Sequence, residues 1–205
     1  MLANTFELLY DTITRPRHAF TNITQRPFHR EAALAFVLLV ALSSLAGISF
    51  IGGGAVALTA ISLITGAIGL FFWAAVLHLT VTLLGGNGDV RGLLRALPFA
   101  QFPQTFASFF PILLLWFPSA SITALIGVLS TVFSLWMVYL QLLAISINYR
   151  IDISRALLAF VIPGLVLVLF ILALIGLMIT SLFSAITADP SFLQQFSQDI
   201  SGINL

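Results

Sequence analysis

Three runs without a charged residue dominate this chain: 57 residues between Glu31 and Asp89, 54 between Arg95 and Arg150, and 33 between Arg155 and Asp189. An ordinary soluble domain carries ~25% charged side chains; this chain carries 7%. It cannot clothe itself in a solvated surface, and its mean hydropathy of +1.13 excludes intrinsic disorder. A helix that crosses a bilayer needs ~20 mostly apolar residues. The first two runs are each long enough for two such helices, and each contains a break. Gly52-Gly53-Gly54 interrupts the first, and Phe117-Pro118-Ser119 the second. The third run fits one long helix.

The expected fold is therefore all-α: a polytopic membrane bundle of five transmembrane helices at about Ala32–Ile51, Ala55–Leu84, Ala96–Phe117, Ser119–Ile147 and Ala156–Thr187. Residues 1–31 are too polar for a signal peptide. Phe6, Leu9, Tyr10 and Ile13, then Phe20, Ile23 and Phe28, recur at roughly helical spacing, which predicts an amphipathic helix lying in the membrane interface. Three segments follow: a cytoplasmic interfacial segment (1–31), a five-span membrane domain (32–187) and an extracytoplasmic tail (188–205). In that tail Phe192, Leu193, Phe196 and Ile200 suggest a short interfacial helix.

The basic residues are eight arginines, with no lysine. Arg15, Arg17, Arg26 and Arg30 precede the first span, Arg91 and Arg95 separate the second from the third, and Arg150 and Arg155 separate the fourth from the fifth. Counting five spans puts all of them on one side. The positive-inside rule then places the N-terminus in the cytoplasm and the C-terminus outside. Arginine side chains at such an interface can also reach lipid phosphates.

Little in the sequence points to catalysis. There is no cysteine, hence no thiolate metal site and no cysteine nucleophile. No Gly-x-Ser-x-Gly elbow and no His-Glu-x-x-His helix occurs, and Gly85-Gly86-Asn87-Gly88 lacks the Lys-Ser/Thr ending of a phosphate loop. A net charge of +1 leaves no footprint for nucleic acid. Catalytic residues, metal ligands and cofactors are all expected to be absent. A pigment or haem resting on His78 is the weakest alternative.

The polar side chains inside the spans are the candidate site. His78 is six residues before Leu84, Gln101 six after Arg95, and Gln141 seven before Asn148. Each is ~9–10 Å inside at 1.5 Å per residue. A polar group facing lipid would lack partners, so His78, Gln101 and Gln141, with Gln104 one turn further along, are expected to form an inward polar layer that sets helix register. The third span is itself unusual, with Pro98, Pro103 and Pro111, a phenylalanine stripe (Phe99, Phe102, Phe106, Phe109) and an opposing polar stripe (Gln101, Gln104, Ser108). Such a helix belongs against other helices. Arg95-Ala96-Leu97 with Pro103 also matches Arg155-Ala156-Leu157 with Pro163. Duplication of a helical hairpin and chance similarity between apolar helices both account for the match.

The stretch Leu77-His78-Leu79, Leu83-Leu84-Gly85-Gly86-Asn87-Gly88-Asp89-Val90-Arg91, then Leu94-Arg95-Ala96-Leu97 and Phe102-Pro103, resembles the YIP family (Ypt/Rab-interacting membrane proteins, Yip domain) of the prokaryotic type. Arg15-Pro16-Arg17-His18-Ala19-Phe20 resembles that family's entry motif, and Ser154-Arg155-Ala156-Leu157 fits its last span. The resemblance covers about residues 10–187 and implies a cytoplasmic N-terminus followed by five spans. It implies no catalytic residues. Eukaryotic members bind Rab-type GTPases through a longer N-terminal region than the roughly 31 residues here, so GTPase binding is a doubtful carry-over. Some bacterial members look like accessory subunits of transport complexes.

The expected function is thus a non-catalytic membrane scaffold or accessory subunit, in the lipid bilayer of a prokaryotic inner membrane, partnered by other membrane-protein subunits. The alternative is a small oligomeric transporter, channel or lipid-handling protein.

Overall fold

The computed structural model describes Leu2–Ile51 and Ala55–Ala188. The Gly52-Gly53-Gly54 turn and the interfacial helix expected in the tail lie outside the described residues. Among those residues all regular structure is helical: α1 (Leu2–Thr14), α2 (Pro16–Gln25), α3 (His29–Ile51), α4 (Ala55–Leu83), α5 (Val90–Ala107), α6 (Ile112–Trp116), α7 (Ala120–Tyr149) and α8 (Ile153–Ala188). Among the described residues three stretches are long and apolar enough to cross a membrane: Thr59–Leu83, Ala120–Tyr149 and Ile153–Ser181. The chain divides into two compact units, one up to Val161 and one from Ile162 on.

The first unit is built around α5 and α7. On one side Phe20 and Ile23 of α2, Ala32 and Ala35 of α3, Phe99 and Ala100 of α5 and Leu140 and Leu143 of α7 form one buried cluster. On the other, Leu77 and Val81 of α4, Leu93 and Leu97 of α5, Ile145 and Tyr149 of α7 and Ala156 and Ala159 at the start of α8 form a second. Helix α5 separates the two, and ten of its 18 residues are buried. Its position satisfies the requirement that a proline-bearing helix have neighbours to meet its freed backbone groups.

The expected single span Ala96–Phe117 is not one helix. It begins earlier, at Val90, and α5 ends at Ala107. From Phe109 to Leu114 the amides bond three residues back, as in Phe109 N–H to Phe106 O at 3.1 Å and Ile112 N–H to Phe109 O at 3.1 Å. Pro111 has no N–H and disfavours helical geometry in the residue before it, so the helix breaks and restarts as the short α6. Pro98 and Pro103 remain inside α5. Ser119 caps α7 by accepting a bond from Ile122 N–H at 3.3 Å, and α7 continues to Tyr149, two residues past the expected end.

The N-terminal segment is helical as expected, and it also has a packed face. The buried face of α1 is Thr5, Leu8, Leu9 and Thr12, while Phe6, Tyr10 and Ile13 point outward. Buried Thr12 is accommodated because its hydroxyl donates to Leu8 O at 2.7 Å. Together α1 and α2 lie against α3, α5 and α7, so the segment is a packed layer of the unit and not only a surface float. Of the Arg-Ala-Leu repeats, Ala96 and Ala156 are both fully buried, but Leu97 is buried and Leu157 exposed. In the second unit α8 continues through Pro163 as an apolar helix with Leu165, Phe170, Leu177 and Met178 exposed.

Candidate functional site

Helix α4 ends in a motif that needs glycine. Gly86 N–H bonds to Val81 O at 2.9 Å and Gly85 N–H to Thr82 O at 3.0 Å. These are the two bonds of a Schellman ending, and they require a left-handed residue, which Gly85 supplies with φ +83°. Helix α7 also ends in a left-handed residue, without glycine. Ile151 N–H bonds to Ser146 O at 3.1 Å and Arg150 takes φ 54°. Ser146 Oγ donates to Ile151 O at 2.6 Å, holding this less favoured turn.

The loop that follows α4 is laid on the last turn of α7. Asn87 N–H donates to Tyr149 O at 3.0 Å, and Asn148 Nδ2 donates to Asp89 O at 2.8 Å. Between these two bonds the backbones approach so closely that a Cβ on Gly88 would overlap Asn148 O and stand 2.8 Å from Tyr149 Cα. A Cβ on Gly92, in the first turn of α5, would overlap Asn148 Oδ1. Tyr149 is 1% exposed, and its hydroxyl lies 2.7 Å from His78 Nδ1 on α4. The segment 86–92 is thus a latch that ties the end of α4 and the start of α5 to the end of α7.

A second fastening holds the N-terminal layer. Arg95 Nη2 donates to Thr24 O at 3.2 Å, and Nη1 donates to Arg26 O. Its Nε donates to Arg91 O at 3.0 Å. The guanidinium thereby covers the open carbonyl end of α2, where a cation is favoured. Both fastenings lie at the same end of the unit as Arg26, Arg91, Arg95 and Arg150.

The four side chains expected to share a polar layer have different surroundings. His78 meets Tyr149. Gln104 Oε1 accepts from Ser134 Oγ at 3.2 Å. Gln141 is 4% exposed, and its Oε1 has no partner. Gln101 is half-buried. None of the described hydrogen bonds joins two of the four. Equal depth requires Arg95 to mark the start of the helix that carries Gln101. With α5 starting at Val90, Gln101 lies about 17 Å along its helix, whereas His78 is only about 8 Å from the end of α4. The phenylalanine stripe also divides: Phe99 is buried, while Phe106 is 45% exposed. Phe102, Phe106, Phe109 and Phe110 line a cavity of about 390 Å³ with Phe133. The important residues that hydropathy does not single out are Tyr149, Asn148 and Gly92. An Asn-Tyr pair closing an apolar helix was the available signal.

With three bilayer-length apolar helices among the described residues, the chain is an integral membrane protein. The chain belongs to the Yip1 domain family, whose model matches residues 10–175. That range includes α2, both fastenings and all of α7. No curated protein matches the chain, and no solved structure does.

Proposed function

We propose that this Yip1-domain protein is a non-catalytic scaffold or accessory subunit of a larger complex in a prokaryotic inner membrane. In this reading it has five spans, with the arginine-bearing end in the cytoplasm and the C-terminus outside. The observation that carries the reading is what the polar groups do. His78 with Tyr149, Asn148 with Asp89 O, and Arg95 with the α2 carbonyls all hold helices in fixed relation. A rigid frame of this kind leaves large apolar faces for neighbours, such as Val128, Val132, Leu135 and Trp136 on α7. The accessory role of some bacterial members supports it by analogy. Mild solubilisation of native membranes tests it: a stoichiometric membrane-protein partner should co-purify, and a chain that always migrates alone overturns the reading.

A lipid-handling role is the second reading. It is favoured by the break between α5 and α6 beside the phenylalanine-lined cavity. Liposomes containing the protein that stay tight to ions and solutes and show no lipid scrambling would remove it.

A further inference from the structure

Between α3, α4 and α5 runs an open slot of about 280 Å³. Its walls are apolar, with Phe36 of α3 and Ala67, Leu70 and Phe71 of α4. The polar lining consists of His29, Arg91 and Arg95, and no acidic side chain lines the slot. Arg95 is engaged by the backbone carbonyls of Arg91, Thr24 and Arg26. Arg91 differs: its guanidinium is exposed and has no hydrogen-bond or ion-pair partner among the described residues. It stands in the first turn of α5.

We propose that this slot is a binding site for a phosphate-headed anionic lipid, with the phosphate at Arg91 and His29 and the first part of an acyl chain against Phe36, Leu70 and Phe71. Two features select this occupant. The charged rim and the apolar walls match the two ends of an amphiphile, and basic pockets between membrane helices are the usual form of anionic headgroup sites. The slot also continues onto an exposed apolar face, since Phe71 is 62% exposed and follows Ile64 and Ile68, each 64% exposed, on the same side of α4. The volume falls just below the ~300–1,000 Å³ of small-molecule sites. It accommodates the glycerophosphate end and the head of one chain, and the remainder lies along α4 among bulk lipid. The site stands apart from the scaffold reading, because a bound lipid neither requires nor replaces a protein partner.

The test is native mass spectrometry of the full chain in detergent with equal amounts of dioleoylphosphatidylglycerol and dioleoylphosphatidylcholine. Wild type should retain the anionic lipid about fivefold over the zwitterionic one, the factor expected for one arginine near a headgroup. Arg91→Gln should abolish that preference. Ala33→Trp, which fills the slot from α3 and leaves the cations in place, should reduce both adducts. Millimolar inorganic phosphate should displace neither. Equal retention by wild type, or an unchanged preference in Arg91→Gln, overturns the proposal. Undiminished binding by Ala33→Trp would show that headgroups are held on the surface without the slot. Displacement by phosphate would show a free-anion site. Circular dichroism monitors folding. If Ala33→Trp does not fold, Ala67→Phe fills the slot from α4, and the Arg91→Gln result stands by itself because that side chain is exposed.

Discussion

Adding a single methyl group at Gly88 should loosen the latch. The position does not need glycine for its backbone angles, since the only positive-φ glycine among the described residues is Gly85. Gly88 is required by contact alone. Its new Cβ would overlap Asn148 O and lie 2.6 Å from Tyr149 Cδ1 and 2.8 Å from Tyr149 Cα. Two of these three atoms are backbone at the end of a 30-residue helix, so the loop must move instead. The bonds flanking the contact, Asn87 N–H to Tyr149 O and Asn148 Nδ2 to Asp89 O, then lengthen together. Each is worth about 0.5–1.5 kcal/mol net, so Gly88→Ala should destabilise by about 1–3 kcal/mol. Water can replace the lost partners in this exposed loop, which keeps the cost from rising further. The control is Gly69→Ala within α4, where nothing lies within 4 Å of the added carbon. Reversible unfolding in mixed micelles, followed by circular dichroism, measures both. A second arm adds Asn148→Ala. Because both changes act on one latch, the double variant should lose less than the sum of the single losses, by about 0.5 kcal/mol or more. A Gly88→Ala protein within ~0.5 kcal/mol of wild type, the range of neutral surface changes, refutes the reasoning.

Tyr149→Phe removes only the contact with His78. It should destabilise by about 0.6–1.7 kcal/mol, from the average to the largest value for interhelical polar contacts in membranes, and additivity with His78→Leu in a double-mutant cycle would contradict it. Arg95→Gln should release the α2 end, so limited proteolysis near Arg26 should accelerate several-fold while the cleavage rate elsewhere stays unchanged. Reporter fusions within residues 86–94 should be active inside the cell and fusions after residue 205 outside; the opposite result at either place overturns the five-span topology. Neutralising Arg91, Arg95, Arg150 and Arg155 together should scramble insertion, and an unchanged topology in that variant would show that the arginines do not orient the chain.

What the sequence by itself determined is the membrane class, some of the helical ends and the family. Bilayer insertion depends on long charge-free runs, and those are additive properties of composition that need no folded context. The stop of α4 near Leu83 and the start of α7 were legible within about two residues because Gly85 and Ser119 act through local backbone geometry. The face that α1 packs against the other helices was not legible. Threonine reads as polar, yet Thr12 is buried because its hydroxyl bonds to the preceding turn, while Phe6 and Tyr10 stay outside. The third span misled for a related reason. Hydropathy continues smoothly from Ala96 to Phe117, but hydropathy is blind to the missing N–H of Pro111 and to the earlier start at Val90. Only tertiary structure decided what Gly88, Gly92 and Tyr149 do, because their roles are contacts across some 60 residues of chain between Gly88 and Tyr149. The polar side chains could be counted from the sequence, but their partners depend on how far each helix slides against its neighbour. One turn of that sliding is about 5.4 Å, more than a hydrogen bond can bridge, and it gives His78 to Tyr149 and Gln104 to Ser134 instead of joining the two in one layer.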